Sequence, residues 1–147
     1  MSSARNVELV RRLYEQLMSS GRFEDRASAQ LLPQFFAPDV QMHQMVGMTG
    51  TAGDFIGYDG VVDAVRELVR EFVDPVFATE RIDAAGEHVA VAVAFRATGR
   101  RSGAPVQARV SHLLTVRDGR VTRFEVFEDP AGAFTAAGLD ASWVETG

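Results

Sequence analysis

The 147-residue sequence contains no cysteine and no lysine, and each absence removes a class of chemistry. Without cysteine there can be no disulfide, no thiolate nucleophile and no thiolate ligand for a metal. All 15 basic residues are arginine, so catalysis through a Schiff base on lysine is also excluded. We interpret the exclusive use of arginine as a bias toward GC-rich codons rather than as a functional signal.

Charge and hydropathy exclude further classes of partner. The net charge is −5 and the arginines are scattered, whereas nucleic-acid binding usually requires a basic stripe. No stretch approaches the roughly 20 apolar residues of a membrane span, and residues 1–8 lack the apolar run of a signal peptide. We therefore expect no nucleic-acid partner, no membrane partner and a cytoplasmic location. The length predicts a single domain over residues 1–147.

The first half of the chain has the apolar spacing of helices. The pattern predicts helices over about residues 4–20 and 28–36, and a third helix that Asp59 caps and Asp74-Pro75 closes. Residues 40–46 between them are typical of a strand. The glycine-rich stretch from residue 47 to 57 predicts a mobile loop.

The second half alternates as strands do, over residues 76–84, 87–97, 105–116 and 120–129. Asp118-Gly119 is a strong hairpin signal, because glycine supplies the positive φ of a tight turn. Helices followed by antiparallel strands indicate an α+β fold, with helices on one face of a curved sheet. A row of small residues, Ala90, Ala92 and Ala94, lets another surface approach the other face. We expect that surface to be a second subunit in a two-fold homodimer.

The last strand ends in a carboxylate. Its alternation predicts that Phe127 and Asp129 share one face, and that Phe124, Val126 and Glu128 lie on the other. A carboxylate that closes a strand beside an aromatic ring is suited to act as an acid or base facing a cavity.

Several segments together resemble the SnoaL-like branch of the nuclear transport factor 2-like (NTF2-like) superfamily, over roughly residues 7–139. The carriers, in chain order, are Val10-Arg11-Arg12-Leu13-Tyr14-Glu15, Phe36-Ala37-Pro38-Asp39-Val40, Gly57-Tyr58-Asp59-Gly60-Val61, Asp118-Gly119-Arg120-Val121 and Phe127-Glu128-Asp129. The resemblance implies a cone-shaped α+β fold, with a curved sheet wrapped around three helices and a central apolar pocket. It also implies cofactor-independent acid/base chemistry of the cyclase or isomerase type, on an apolar cyclic or polyketide-like substrate. The alternative is a non-catalytic ligand-binding or dimerisation module, since this fold hosts both.

Three residues carry the catalytic interpretation. Asp129 matches the acid/base aspartate of SnoaL-type cyclases, and an apolar pocket would raise the pKa of such a carboxyl. The alternative is that Asp129 caps the following turn. Tyr14 matches the oxyanion-stabilising tyrosine of ketosteroid isomerase, although a core tyrosine is the more common outcome. His43 could act near neutral pH, but the alternation leaves open which face of its strand points inward.

The substrate-binding prediction covers Met42, Gln44, Phe55, Ser111 and Phe127. The chain departs from the isomerase pattern, because the general base of that family falls on Gln44 and its second oxyanion acid on Ser111. The resemblance to limonene epoxide hydrolase fails as well, since the strand over residues 87–97 offers no aspartate. We expect His112 to be a core or interface histidine, and we see no metal-binding motif.

Overall fold

The structure is a computed structural model and describes residues 3–18, 31–44 and 53–146. The helices are α1 (Ser3–Leu13), which continues as a π-helical turn (Tyr14–Met18), α2 (Leu32–Phe35), α3 (Gly57–Glu71) and α4 (Gly132–Ala136), followed by a 3₁₀ turn (Ser142–Thr146). The strands are β1 (Phe36–Gln44), β2 (Gly53–Ile56), β3 (Phe72–Ala85), β4 (His88–Gly99), β5 (Pro105–Arg117) and β6 (Arg120–Phe127).

The strands form one mixed sheet in the order β2-β1-β6-β5-β4-β3. Every neighbouring pair is antiparallel except β1 and β6, which run parallel. The sheet is curved, and the predicted α+β cone is confirmed.

The helices cover one face of the sheet, which we call the inner face and define by Val91, His112 and Phe124. Helix α1 buries Leu9, Val10 and Leu13 against it, and α3 contributes further apolar residues at helical spacing: Val61, Ala64 and Leu68. Because successive strand residues point to opposite faces, the inner positions of β4 and β5 alternate with those of the outer face, which we define by Ala92, Ser111 and Phe127.

The C-terminal segment covers part of the outer face. Ala90 and Ala92 are fully buried there, in a second apolar cluster with Leu113, Ala133 and Phe134. The small side chains therefore admit helix α4 of the same chain, and not a second subunit, at these two positions. The homodimer stays a prediction.

The turn between β5 and β6 is the two-residue hairpin that the sequence predicts. Asp118 has φ 52° and Gly119 has φ 76°, and positive φ at both central residues matches the right-handed twist of the flanking strands. Arg117 and Arg120 close the ladder on either side.

Some predicted boundaries are wrong. Helix α3 begins at Gly57, so Asp59 lies within its first turn and caps nothing. Strand β3 begins at Phe72, before the proline, because an irregularity between Val73 and Val76 takes Pro75 out of the regular ladder. The predicted glycine-rich loop is in part strand β2, and its residues 47–52 lie outside the described residues. Within the described ranges, no helix is long and apolar enough to cross a membrane.

Candidate functional site

A hydrogen-bonded pair of polar side chains is buried at the inner face. The Tyr14 hydroxyl oxygen lies 2.5 Å from Nδ1 of His112, and both side chains are about 1% exposed. The bond joins residues 98 positions apart in the chain, so it ties the π-helical turn after α1 to the middle of β5.

Local sequence explains both positions. Tyr14 lies four residues after Val10 and continues the buried stripe of α1. His112 alternates with Val110 and Leu114 along β5, and all three point to the inner face. The pair therefore forms where the buried stripe of the helix packs against the inward-facing row of β5.

Burial shifts the pKa values of both groups in the direction that favours the neutral form. It raises the pKa of Tyr14 well above its ordinary value of 10.0 and lowers the pKa of His112 to about 3. Loss of hydration disfavours a charged phenolate and a charged imidazolium alike. At neutral pH the pair is therefore uncharged.

Aromatic rings surround the imidazole of His112. Ring centroids lie 4.8 Å away for Phe124, 5.6 Å for Phe77 and 5.9 Å for Tyr14. These rings form an apolar wall around the imidazole, and their faces and edges are in stacking range of it.

Two predicted binding residues extend this wall across neighbouring strands. Met42 on β1 lies opposite Phe55 on β2 and Phe124 on β6, so the three share the inner face. Met42 is buried, and Phe55 is partly buried against the same core. Val40 and Met42 therefore show which side of β1 points inward. Gln44 pairs with Gly53 at the end of β1, and its side chain is outside the described part of the chain.

Asp129 lies at the outer side of the sheet. Its exposed carboxylate accepts hydrogen bonds from the backbone amides of Ala131, at 2.9 Å, and Gly132, at 2.6 Å. This is the turn-capping geometry that an aspartate adopts ahead of a short helix. The carboxylate is thus already occupied by two donors of its own chain.

Ser111 completes the same outer network. Its hydroxyl donates to the backbone carbonyl of Asp129, at 2.7 Å, and accepts from the amide of Ala133, at 3.0 Å. Phe127 lies beside it, and a Cβ added at Gly132 would be 2.8 Å from the Phe127 ring. Glycine at position 132 therefore lets α4 approach the sheet closely.

His43 also lies on the outer face. Its Nδ1 is 2.5 Å from the Asp54 carboxylate, and the two side chains are 47% and 68% exposed. Glu125 is the register partner of His43 on β6, and its carboxylate accepts a hydrogen bond from Arg123 at 2.7 Å. This part of the outer face therefore carries polar side chains that pair with one another at the surface.

The structure therefore divides the predicted site residues into two groups. Tyr14, Met42 and Phe55 share the inner face, and Asp129, His43, Ser111 and Phe127 lie on the outer face. His112, which sequence reasoning placed in the core, is the polar partner of Tyr14. The sequence did contain a signal for this role, because a histidine on one apolar stripe and a tyrosine on another each need a hydrogen-bond partner once they are buried. In the described ranges, no group of three or more histidine, aspartate or glutamate side chains is arranged to hold a metal ion.

Comparison with known proteins identifies the family. A model of the SnoaL-like domain matches residues 10–124. The chain belongs to the SnoaL-like domain family. An uncharacterized protein of Mycobacterium tuberculosis strain H37Rv is 29% identical over 132 residues, which cover 89% of this chain and 95% of that protein.

Solved structures show that the SnoaL-like chain shares its fold with NTF2-like proteins. An NTF2-like protein of unknown function from Burkholderia pseudomallei K96243 has a TM-score of 0.71 and 26% identity, covering 93% of this chain and 98% of that one. TerC, co-crystallized with polyporic acid, has a TM-score of 0.70 and 24% identity, covering 90% and 97% of the two chains. At that identity, the likeness to TerC shows the fold alone.

Proposed function

We propose that this SnoaL-like chain binds a small apolar cyclic molecule against the inner face of its sheet, next to Tyr14 and His112. The single observation that carries the proposal is the buried hydrogen-bonded pair, placed in an otherwise apolar wall of Phe77, Phe124 and Met42. Small-molecule sites combine such a wall with a few polar groups that orient the ligand.

The fold and the chemistry of the wall support this class of ligand. NTF2-like relatives share the curved sheet and the covering helices. An apolar wall without charged residues favours an uncharged ring compound, because burying an unpaired charge is costly.

The second candidate is a cofactor-independent cyclase-like or isomerase-like enzyme on the same ligand class. It is favoured by the direct hydrogen bond between two titratable groups that are both shielded from solvent, since such a pair can pass a proton to a bound substrate. On this candidate the acid/base work falls on Tyr14 and His112. Asp129 and His43 would have to act from the outer face, where each is already bonded within its own chain.

A binding screen with a matched pair of variants tests the proposed location. Apolar cyclic ketones and quinones are screened by thermal shift, and hits are titrated by calorimetry. Phe55 and Ile56 are adjacent, but Phe55 packs against the core of the inner face and Ile56 is 62% exposed. Phe55→Ala should weaken binding about tenfold or more, and Ile56→Ala should leave the affinity unchanged. Equal loss in both variants, or no hit in the screen, would contradict the proposal.

Turnover of any hit separates the two candidates. If the chain is an enzyme of this design, Tyr14→Phe should lower kcat by about 10²–10⁴-fold, and Asp129→Asn should change kcat by no more than a few-fold. A large loss in Asp129→Asn alone would return the acid/base role to Asp129. Binding without turnover leaves the first candidate.

A further inference from the structure

The hydrogen bond between Tyr14 and His112 can be drawn in two ways, which differ in the polar atoms they leave without a partner. In the first, the phenol donates to Nδ1, and the imidazole proton is on Nε2. In the second, Nδ1–H donates to the phenol oxygen, and Nε2 is a bare acceptor. The 2.5 Å separation is compatible with both.

The strengths of the donors and acceptors decide between them. Among the described residues, neither side chain has a second hydrogen-bond partner, so each arrangement leaves one donor and one acceptor unpaired. The first leaves the Nε2–H of His112 and the phenol oxygen, and the second leaves the hydroxyl proton of Tyr14 and the Nε2 lone pair. Because the phenol is the stronger donor and the imidazole nitrogen the stronger acceptor, the first arrangement pairs the two groups whose burial without a partner would cost most, and it is favoured.

The remaining donor has a restricted set of complementary partners. His112 is about 1% exposed, and its ring is enclosed by Phe77, Phe124 and Tyr14. The buried polar residues of the described chain are Asn6, Ser111, His112 and Thr115, so no buried arginine is present there to balance an anion. A carboxylate would therefore enter without a counter-charge, and an ammonium group would meet a donor instead of an acceptor.

We infer that Nε2–H of neutral His112 is the hydrogen-bond donor to an uncharged carbonyl oxygen of the ligand, as in a cyclic ketone or quinone, and that Tyr14 holds the imidazole in the required tautomer. The inference rests on the proposed function, and it adds the chemical class of the ligand and the role of each atom. Tyr14 is on this view a positioning residue and His112 the contact residue.

The tautomer is tested first, on the free protein. In a sample carrying ¹⁵N-labelled histidine, a long-range ¹H–¹⁵N correlation spectrum identifies which ring nitrogen of His112 carries the proton. We expect protonated Nε2 and unprotonated Nδ1 near neutral pH. Protonated Nδ1 would overturn the inference without touching the proposed binding function.

The ligand class is tested with three bicyclic probes of similar size: 1-tetralone, tetralin and tetralin-1-carboxylate. The ketone should bind about tenfold more tightly than the hydrocarbon, which is the value of one added hydrogen bond, and the carboxylate should bind no better than the hydrocarbon. Equal affinity of ketone and hydrocarbon would overturn the inference and leave the proposed function standing. Failure of both to bind would count against both.

Tyr14→Phe provides the variant, and Tyr58→Phe its matched control. Tyr58 is the other tyrosine of the chain, and its hydroxyl donates to the Phe36 carbonyl at 3.1 Å. Losing the Tyr14 hydroxyl should allow both His112 tautomers in the spectrum and reduce the preference for 1-tetralone over tetralin toward unity. Tyr58→Phe should change neither. A preserved preference in Tyr14→Phe, with His112 still protonated on Nε2, would remove Tyr14 from the inferred role.

Discussion

The two faces of the sheet each bury an apolar cluster, but they treat their polar groups differently. On the outer face, the Ser111 hydroxyl both donates and accepts, and the Asp129 carboxylate receives two backbone amides. On the inner face, Tyr14 and His112 hydrogen-bond to each other and to no other side chain in the described part of the protein. Polar groups that are fully used within the chain serve its structure, and a buried polar group with capacity left over is the better candidate for a ligand contact.

The largest expected effect on stability comes from a substitution in the apolar cluster of the outer face, which leaves the cluster of the inner face intact. Phe134 is fully buried, and its ring lies 4.9 Å from that of Trp143. Phe134→Ala should lower the free energy of unfolding by about 3–5 kcal/mol, because it removes a large buried side chain and leaves a cavity. Urea unfolding measures the loss. A change below about 1 kcal/mol would mean that the C-terminal segment is not part of the cooperative core.

Lowering the pH should reduce the stability of the inner face through His112. Its pKa is about 3 in the folded chain and about 6.5 when unfolded, so the unfolded state takes up the proton first. The stability that comes from keeping this histidine neutral is complete above about pH 6.5 and is lost as the pH falls toward 3.

The His112 contribution can be isolated with a variant. Between pH 7 and pH 5, the free energy of unfolding should fall by about 2 kcal/mol more in the natural chain than in His112→Asn. Urea unfolding at the two pH values gives the difference. Parallel losses in both proteins would show that His112 is not buried in its neutral form.

The smallest expected effect is on the exposed polar pair of His43 and Asp54 on the outer face. His43→Gln removes the pair with Asp54, whose side chains are both largely in solvent, so the free energy of unfolding should change by less than about 1 kcal/mol. Added salt should reduce the change further. A loss of ligand affinity in this variant, with unchanged stability, would move the functional site to the outer face.

Periodicity predicted the helices and strands better than it predicted which elements pack against one another. The stripe of α1, the alternation of β4 and the Asp118-Gly119 hairpin depend on residues close in the chain, and the structure shows all three. The family resemblance predicted the cone, and the family comparison and the curved sheet confirm it.

The site was harder to predict, because its geometry depends on pairings between distant strands. Alternation placed Phe127 and Asp129 on one face, but β6 ends at Phe127, and only the cover supplied by α4 shows that the face of Phe127 is the outer one. The inward side of β1 depends on its partners β2 and β6. The hydrogen bond between Tyr14 and His112 spans 98 residues, a distance at which no local pattern specifies a contact.

The parallel pairing of β1 with β6 also determines when the sheet can be completed during synthesis of the chain. Strand β1 leaves the ribosome early, yet its neighbour on one side is the last strand of the sheet. At about 5–20 residues per second, the 98 residues between Tyr14 and His112 take on the order of 5–20 seconds to synthesise. During that interval the apolar stripe of α1 has no sheet to cover. The order of the strands therefore leaves the first helix without most of its sheet for several seconds of synthesis.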